Sequence, residues 1–83
     1  MDTNTATCHE FCLYYLGRDD LTQEVTDALF EAGCDDALVG TRGGFLFLGF
    51  SRESSSFQEA LLSAIADVER AGLGLQLVRV GHE

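Results

Sequence analysis

From Phe45 to Phe50 the chain reads Phe-Leu-Phe-Leu-Gly-Phe, and only Gly49 among these six is not large and apolar. Bounded by Gly43-Gly44 before it and Ser51 after it, such a run reads as a strand buried on both faces. Cys8 to Leu16 has a related pattern with a two-residue period. Phe11, Leu13 and Tyr15 share one face, and Glu10, Cys12, Tyr14 and Leu16 share the other. The period then changes to that of a helix. Leu21, Val25, Ala28, Leu29 and Ala32 form one stripe, and Phe57, Ala60, Leu61, Ala64, Ile65 and Val68 form a second. Asp20 with Gln23, and Ser56 with Glu59, have the spacing of a capping box at each helix start. Gly33 is placed to stop the first helix, and Gly72 or Gly74 the second. Ala37 to Thr41 and Leu75 to Val80 supply two more strands. Arg42-Gly43-Gly44 is a hairpin turn between strands, because glycine reaches positive φ at little cost. Cys34-Asp35-Asp36 and Ser51 to Ser55 read as polar loops.

The resulting order is β-α-β-β-α-β. Two split crossovers give an α+β, ferredoxin-like fold: an antiparallel four-stranded sheet in the order 4-1-3-2, with two helices on one face. Its central strands are the first and third, the two that are apolar on both sides. Residues 1–83 make a single domain, with residues 1–7 a polar, frayed start. Two helices cover one sheet face and leave the other open. Apolar bulk on both sides leaves undecided which face that is. Cys12, Tyr14, Leu46 and Leu48 are the candidates for an exposed patch, and such patches usually mark an interface for a partner or a second copy.

Charge changes this picture more than composition does. Fourteen acids oppose five bases, all arginine, for a net charge of -9. So acidic a domain repels nucleic acid and anionic membranes and attracts basic surfaces. No apolar run approaches the roughly 18 residues needed to span a bilayer. The first residues, Met1-Asp2-Thr3-Asn4-Thr5, lack the basic start and apolar core of a signal peptide, so a cytoplasmic location is expected. Three cysteines, an odd number, suit a reducing compartment.

Little in the chain specifies a reaction. Cys8 and Cys12 on one strand lie roughly 13 Å apart, too far to share an ion or a disulfide. A site with His9 and Cys34 lacks the paired knuckles of a zinc centre, and buried inert thiols are expected instead. His9 and His82 have no nucleophile motif near them. Gly40-Thr41-Arg42-Gly43-Gly44 lacks the Lys-Ser/Thr pair of a phosphate loop and precedes a strand. Asp19-Asp20 and Asp35-Asp36 lack calcium-loop spacing. Five scattered arginines make no basic stripe for nucleic acid. The expectation is a protein without catalytic, cofactor or metal residues.

One acidic pattern remains. Asp20, Glu24, Asp27 and Glu31 fall within about 60° of the first helix's circumference and extend roughly 16 Å along it. Asp35 and Asp36 prolong the row. Like charges at this spacing cost a few tenths of a kcal/mol per pair in an isolated helix. Such a row is either a solvated face or a copy of a phosphate backbone, which carries one charge per about 3.4 Å of strand.

The run Leu29-Phe30-Glu31-Ala32-Gly33-Cys34-Asp35-Asp36-Ala37, Gly43-Gly44, Glu59 to Gly72 and Val78-Arg79-Val80 resemble a known arrangement. They are similar to the N-terminal domain of small bacterial DNA-binding regulators, in which a helix-turn-helix segment follows the last strand. That resemblance covers about residues 20 to 80, and the sequence read here stops at Glu83, where the helix-turn-helix would begin. It implies a regulatory or dimerisation module without its DNA-reading part. In size and charge alone, the chain also resembles the small anti-CRISPR inhibitors that phages and mobile elements encode. Some of those block the DNA-binding groove of a type I surveillance complex. The leading expectation is therefore a non-enzymatic acidic inhibitor in a bacterial cytoplasm, binding the basic nucleic-acid-binding surface of a type I CRISPR effector through Asp20, Glu24, Asp27, Glu31, Asp35 and Asp36.

Overall fold

A computed structural model describes residues 7–17 and 22–82. The elements are β1 (Thr7–Leu16), α1 (Gln23–Glu31), β2 (Ala37–Arg42), β3 (Phe45–Ser54), α2 (Phe57–Arg70) and β4 (Gln76–His82). They build one four-stranded sheet in the order β2-β3-β1-β4, with every neighbouring pair antiparallel. This is the ferredoxin-like α+β arrangement. The two strands that are apolar on both sides, β1 and β3, occupy its centre.

Both helices contribute to one core. Val25 and Leu29 of α1 join Ala60, Ala64 and Val68 of α2 over Phe11, Leu13, Tyr15, Leu46, Leu48 and Phe50 of the sheet. The small residues on α2 let that helix lie close to the strands. Register explains the grouping, since Phe11, Leu13 and Tyr15 pair with Phe50, Leu48 and Leu46. Paired residues point to the same side of a sheet. Leu46 and Leu48 therefore lie fully buried beneath the helices, not on the open face expected for them. The open side of β3 is formed by Phe45, Phe47 and Gly49.

Local chemistry fixes the helix ends. The N-cap of α1 is Thr22, whose hydroxyl accepts from the Val25 amide at 3.2 Å. The cap observed stands two residues after the Asp20 expected to open the helix in a box with Gln23. Asp20 itself lies outside the described residues. At the other end Gly33 has φ +117, its amide donates to Phe30, and the Cys34 amide donates to Leu29. This is a Schellman stop. It turns Cys34 inward, where its side chain is completely buried. Ser56 caps α2 as its sequence indicates, accepting from the Glu59 amide. The Glu59 carboxylate accepts from the Ser54 and Ser55 hydroxyls, which closes that helix start from the preceding segment.

Gly43 and Gly44, with φ +59 and +85, make the two-residue hairpin turn between Arg42 and Phe45. These signs at both positions are those of a type I′ turn, which matches strand twist. Strand β3 runs four residues beyond Phe50, where a polar loop is expected from composition. The extra residues pair with Thr7 to Glu10, so backbone hydrogen bonding overrides side-chain polarity there.

The Tyr15 hydroxyl is buried with no hydrogen-bond partner among the described residues. Burial pushes its phenol well above the ordinary value, with Cys34 and Glu69 adding to the shift. An unpaired buried hydroxyl is a liability, so Tyr15→Phe is expected to leave stability unchanged or raise it by up to about 1 kcal/mol. Urea denaturation of the two proteins measures this directly. A loss above that size would mean that the hydroxyl has a partner in solution.

Candidate functional site

Two surfaces hold the residues singled out in the sequence. On α1, Glu24, Asp27 and Glu31 are all exposed. Their spacing keeps them within about 60° of one another around the helix. Asp27 accepts from the Gln23 side-chain amide at 2.8 Å. None of the three pairs with a cation among the described residues. Asp35 is exposed in the following turn.

Asp36 does not belong with them. Its carboxylate is held by Arg52 through two parallel contacts, Nε to Oδ2 at 2.7 Å and an Nη to Oδ1 at 2.9 Å. The same guanidinium donates to the Gly33 carbonyl and to Ser63 Oγ, and lies 3.1 Å from Asp67. It also sits over the Phe50 ring, 5.0 Å from the centroid. Arg70 completes the network by bridging Asp67 and the Ala32 carbonyl. The hydrogen bonds to Asp36, with the field of both aspartates, outweigh burial and raise the Arg52 pKa further. Asp36 is thus part of the joint between β3, α2 and the α1–β2 turn, and is corrected out of the partner-facing row. Gly33 is bound into the same joint, since a Cβ there would meet Asp67 Oδ2 at 2.8 Å.

The second surface is the open sheet face. Cys12 and Tyr14 belong to that face by register, but Cys12 is buried there and Tyr14 is half-buried. Register adds residues that composition alone did not mark. Tyr14 stands opposite Phe47, and their rings pack with centroids 5.3 Å apart. Arg42 from β2 places its guanidinium carbon 4.8 Å from the Phe47 centroid, and Arg79 from β4 lies 5.4 Å from that of Tyr14. A row of Arg42, Phe47, Tyr14 and Arg79 therefore crosses the sheet. Gly81 makes room for it, since a Cβ there would meet Tyr14 at 3.3 Å. Glycine inside a strand commonly marks such a close approach. The legible signal was the parity of Phe45, Phe47 and Gly49 against Leu46, Leu48 and Phe50.

The three cysteines are thiols with different surroundings. Cys8 is exposed, whereas Cys12 and Cys34 are buried, so the expectation of uniformly buried thiols fails at Cys8. Cys8 lies near the start of β1, ahead of the stretch from Phe11 that β4 pairs, which accounts for this. Burial, reinforced by Asp67, pushes the Cys34 thiol up to about 11. At neutral pH it stays protonated and is a poor nucleophile. A disulfide-exchange reagent is expected to modify Cys8 at once and Cys34 only on unfolding, read as one fast and delayed further equivalents. Immediate reaction of Cys34, seen by peptide mapping, would contradict this packing. No group of three or more His, Cys, Asp or Glu side chains among the described residues is placed to hold a metal ion. No helix of the described residues is long and apolar enough to cross a membrane.

No protein-family model matches the chain, and no curated protein or solved structure matches it either.

Proposed function

We propose that this protein is a non-catalytic binding module that docks its acidic α1 face on a basic, nucleic-acid-binding surface of a larger protein or complex. The observation that carries this reading is the set of three exposed carboxylates, Glu24, Asp27 and Glu31, on one helix face, with no cation paired to them among the described residues. Asp67 and Asp36 are neutralised within the fold, so the outward charge is concentrated elsewhere, and α1 is one place where it is aligned. Arginines and lysines that hold a phosphate backbone would meet carboxylates in its stead. Encounter is then fast and weakened by salt, because exposed charges steer approach and are screened.

A type I CRISPR surveillance complex is the concrete partner suggested by size and charge. Its mobility shift with target DNA, with and without this protein at two salt concentrations, tests the proposal. Loss of the shifted band at low salt, with recovery at higher salt, is the expected result. A shift unaffected at both salts removes that complex as the partner.

A further inference from the structure

The open sheet face supports a different inference, independent of the acidic helix. We propose that the groove beside Tyr14 and Phe45, flanked by Arg42 and Arg79, binds a small planar organic anion. The groove holds about 750 Å³ and is lined largely by apolar surface, with Leu16 and Val78 beside the rings. That volume is in the range of small-molecule sites, which combine apolar walls with a few placed polar groups.

Charge complementarity selects the ligand. Arg52 and Arg70 are engaged by Asp36 and Asp67, whereas Arg42 and Arg79 meet no carboxylate of a described residue. In a chain of net charge -9, two arginines on one face with no acid partner among the described residues stand out. Both guanidinium groups rest against the Tyr14–Phe47 pair, from opposite edges of the sheet. Planar guanidinium and aromatic faces together suit a flat body, and the forked N–H groups suit a carboxylate or phosphate.

A long polyanion fits less well. Further along the same face β1 and β3 carry Glu10 opposite Ser51 and Glu53 opposite Cys8. A strand of nucleic acid following the sheet would run from the arginines onto these carboxylates. A short anion confined to the Arg42–Arg79 end avoids them. A second copy is the other natural occupant of an apolar face, and it is an outcome of the test.

Calorimetric titration with 2-naphthoate, 2-naphthyl phosphate and neutral 2-naphthylmethanol tests the proposal. Both anions are expected to bind, and the alcohol about tenfold or more weakly, as charge-assisted hydrogen bonds require. Comparing the two anions shows whether carboxylate or phosphate is the better head group. Arg42→Gln and Arg79→Gln should each weaken binding by about tenfold. Both side chains lie outside the core, and circular dichroism verifies that the variants fold. Equal binding of the alcohol, no loss in either variant, or no heat with either anion would overturn the proposal. So would tighter binding of a thymidine oligonucleotide than of 2-naphthyl phosphate. A dimer in sedimentation equilibrium that Tyr14→Asp dissociates would overturn it in favour of a second copy. None of these results depends on Glu24 or Glu31, so they leave the acidic-face reading separately testable.

Discussion

Arg52→Met is expected to lower the unfolding free energy by about 3 kcal/mol, near the low end of the cost of breaking a buried ion pair. The low end applies because Asp36 and Asp67 retain 31% and 17% side-chain exposure, against 12% for Arg52. The loss is not that of one contact. Removing the guanidinium leaves Asp36 without its cation and Asp67 with Arg70 alone, strips a donor from the Gly33 carbonyl, and uncouples Ser63 from β3. Total stability of a domain this size is about 4–12 kcal/mol on a per-residue basis, so the change is a large fraction of it. Urea denaturation provides the measurement, and an unchanged slope would show that the extent of unfolding is the same. Arg52→Lys should fall between wild type and methionine, since an ammonium keeps the charge but not the bidentate fork. Adding salt should change the difference between wild type and Arg52→Met little, because the pair is mostly shielded from solvent. A loss below about 1 kcal/mol would place this network among ordinary surface pairs.

Arg52 also shows where the sequence stopped being informative. Element order followed from period changes and glycine stops, and these are local signals. Sheet order followed from two split crossovers, and the apolar bulk on both sides of β1 and β3 agreed with their central places. Which face the helices cover did not follow, since Leu46 and Leu48 alternate with Phe45 and Phe47 and both sets are equally apolar. The register to Phe11, Leu13 and Tyr15 decides it, and register is a long-range property. Asp36 was misplaced for a similar reason. On the sequence it continues an acidic row, and its partner Arg52 lies sixteen positions away in a segment that reads as a loop. Arg42 and Arg79 are likewise distant in sequence, and only the sheet sets each of them against one ring of the Tyr14–Phe47 pair. Thr22 caps α1 although the residue three places on is Val25 and not Glu or Gln, so the box spacing did not mark it.

Glu24→Arg combined with Glu31→Arg is expected to raise the concentration needed to displace DNA from a basic partner about a hundredfold at low salt. The size follows from placing two like charges against the partner's cations, at roughly a factor of ten each. The fold should survive, for reasons visible in α1. Glu24 lies in the first turn, where a cation opposes the helix dipole, and Glu31 ends the helix, where a cation favours it. These opposed changes are each worth about 0.3–1 kcal/mol and largely cancel. Relief of the repulsion that Asp27 feels from both glutamates adds a few tenths in favour. Asp36→Asn provides the contrast. It should cost stability through Arg52 while leaving displacement by the folded fraction unchanged, because that carboxylate is turned into the fold. The readouts are the displacement curve and the urea midpoint, measured on the same preparations. If the double charge reversal displaced DNA as well as wild type, the acidic face would have no part in recognition. If Asp36→Asn alone lost displacement with its fold intact, the recognition surface would lie around the Arg52 network. The two variants separate charge that faces outward from charge that the fold already uses.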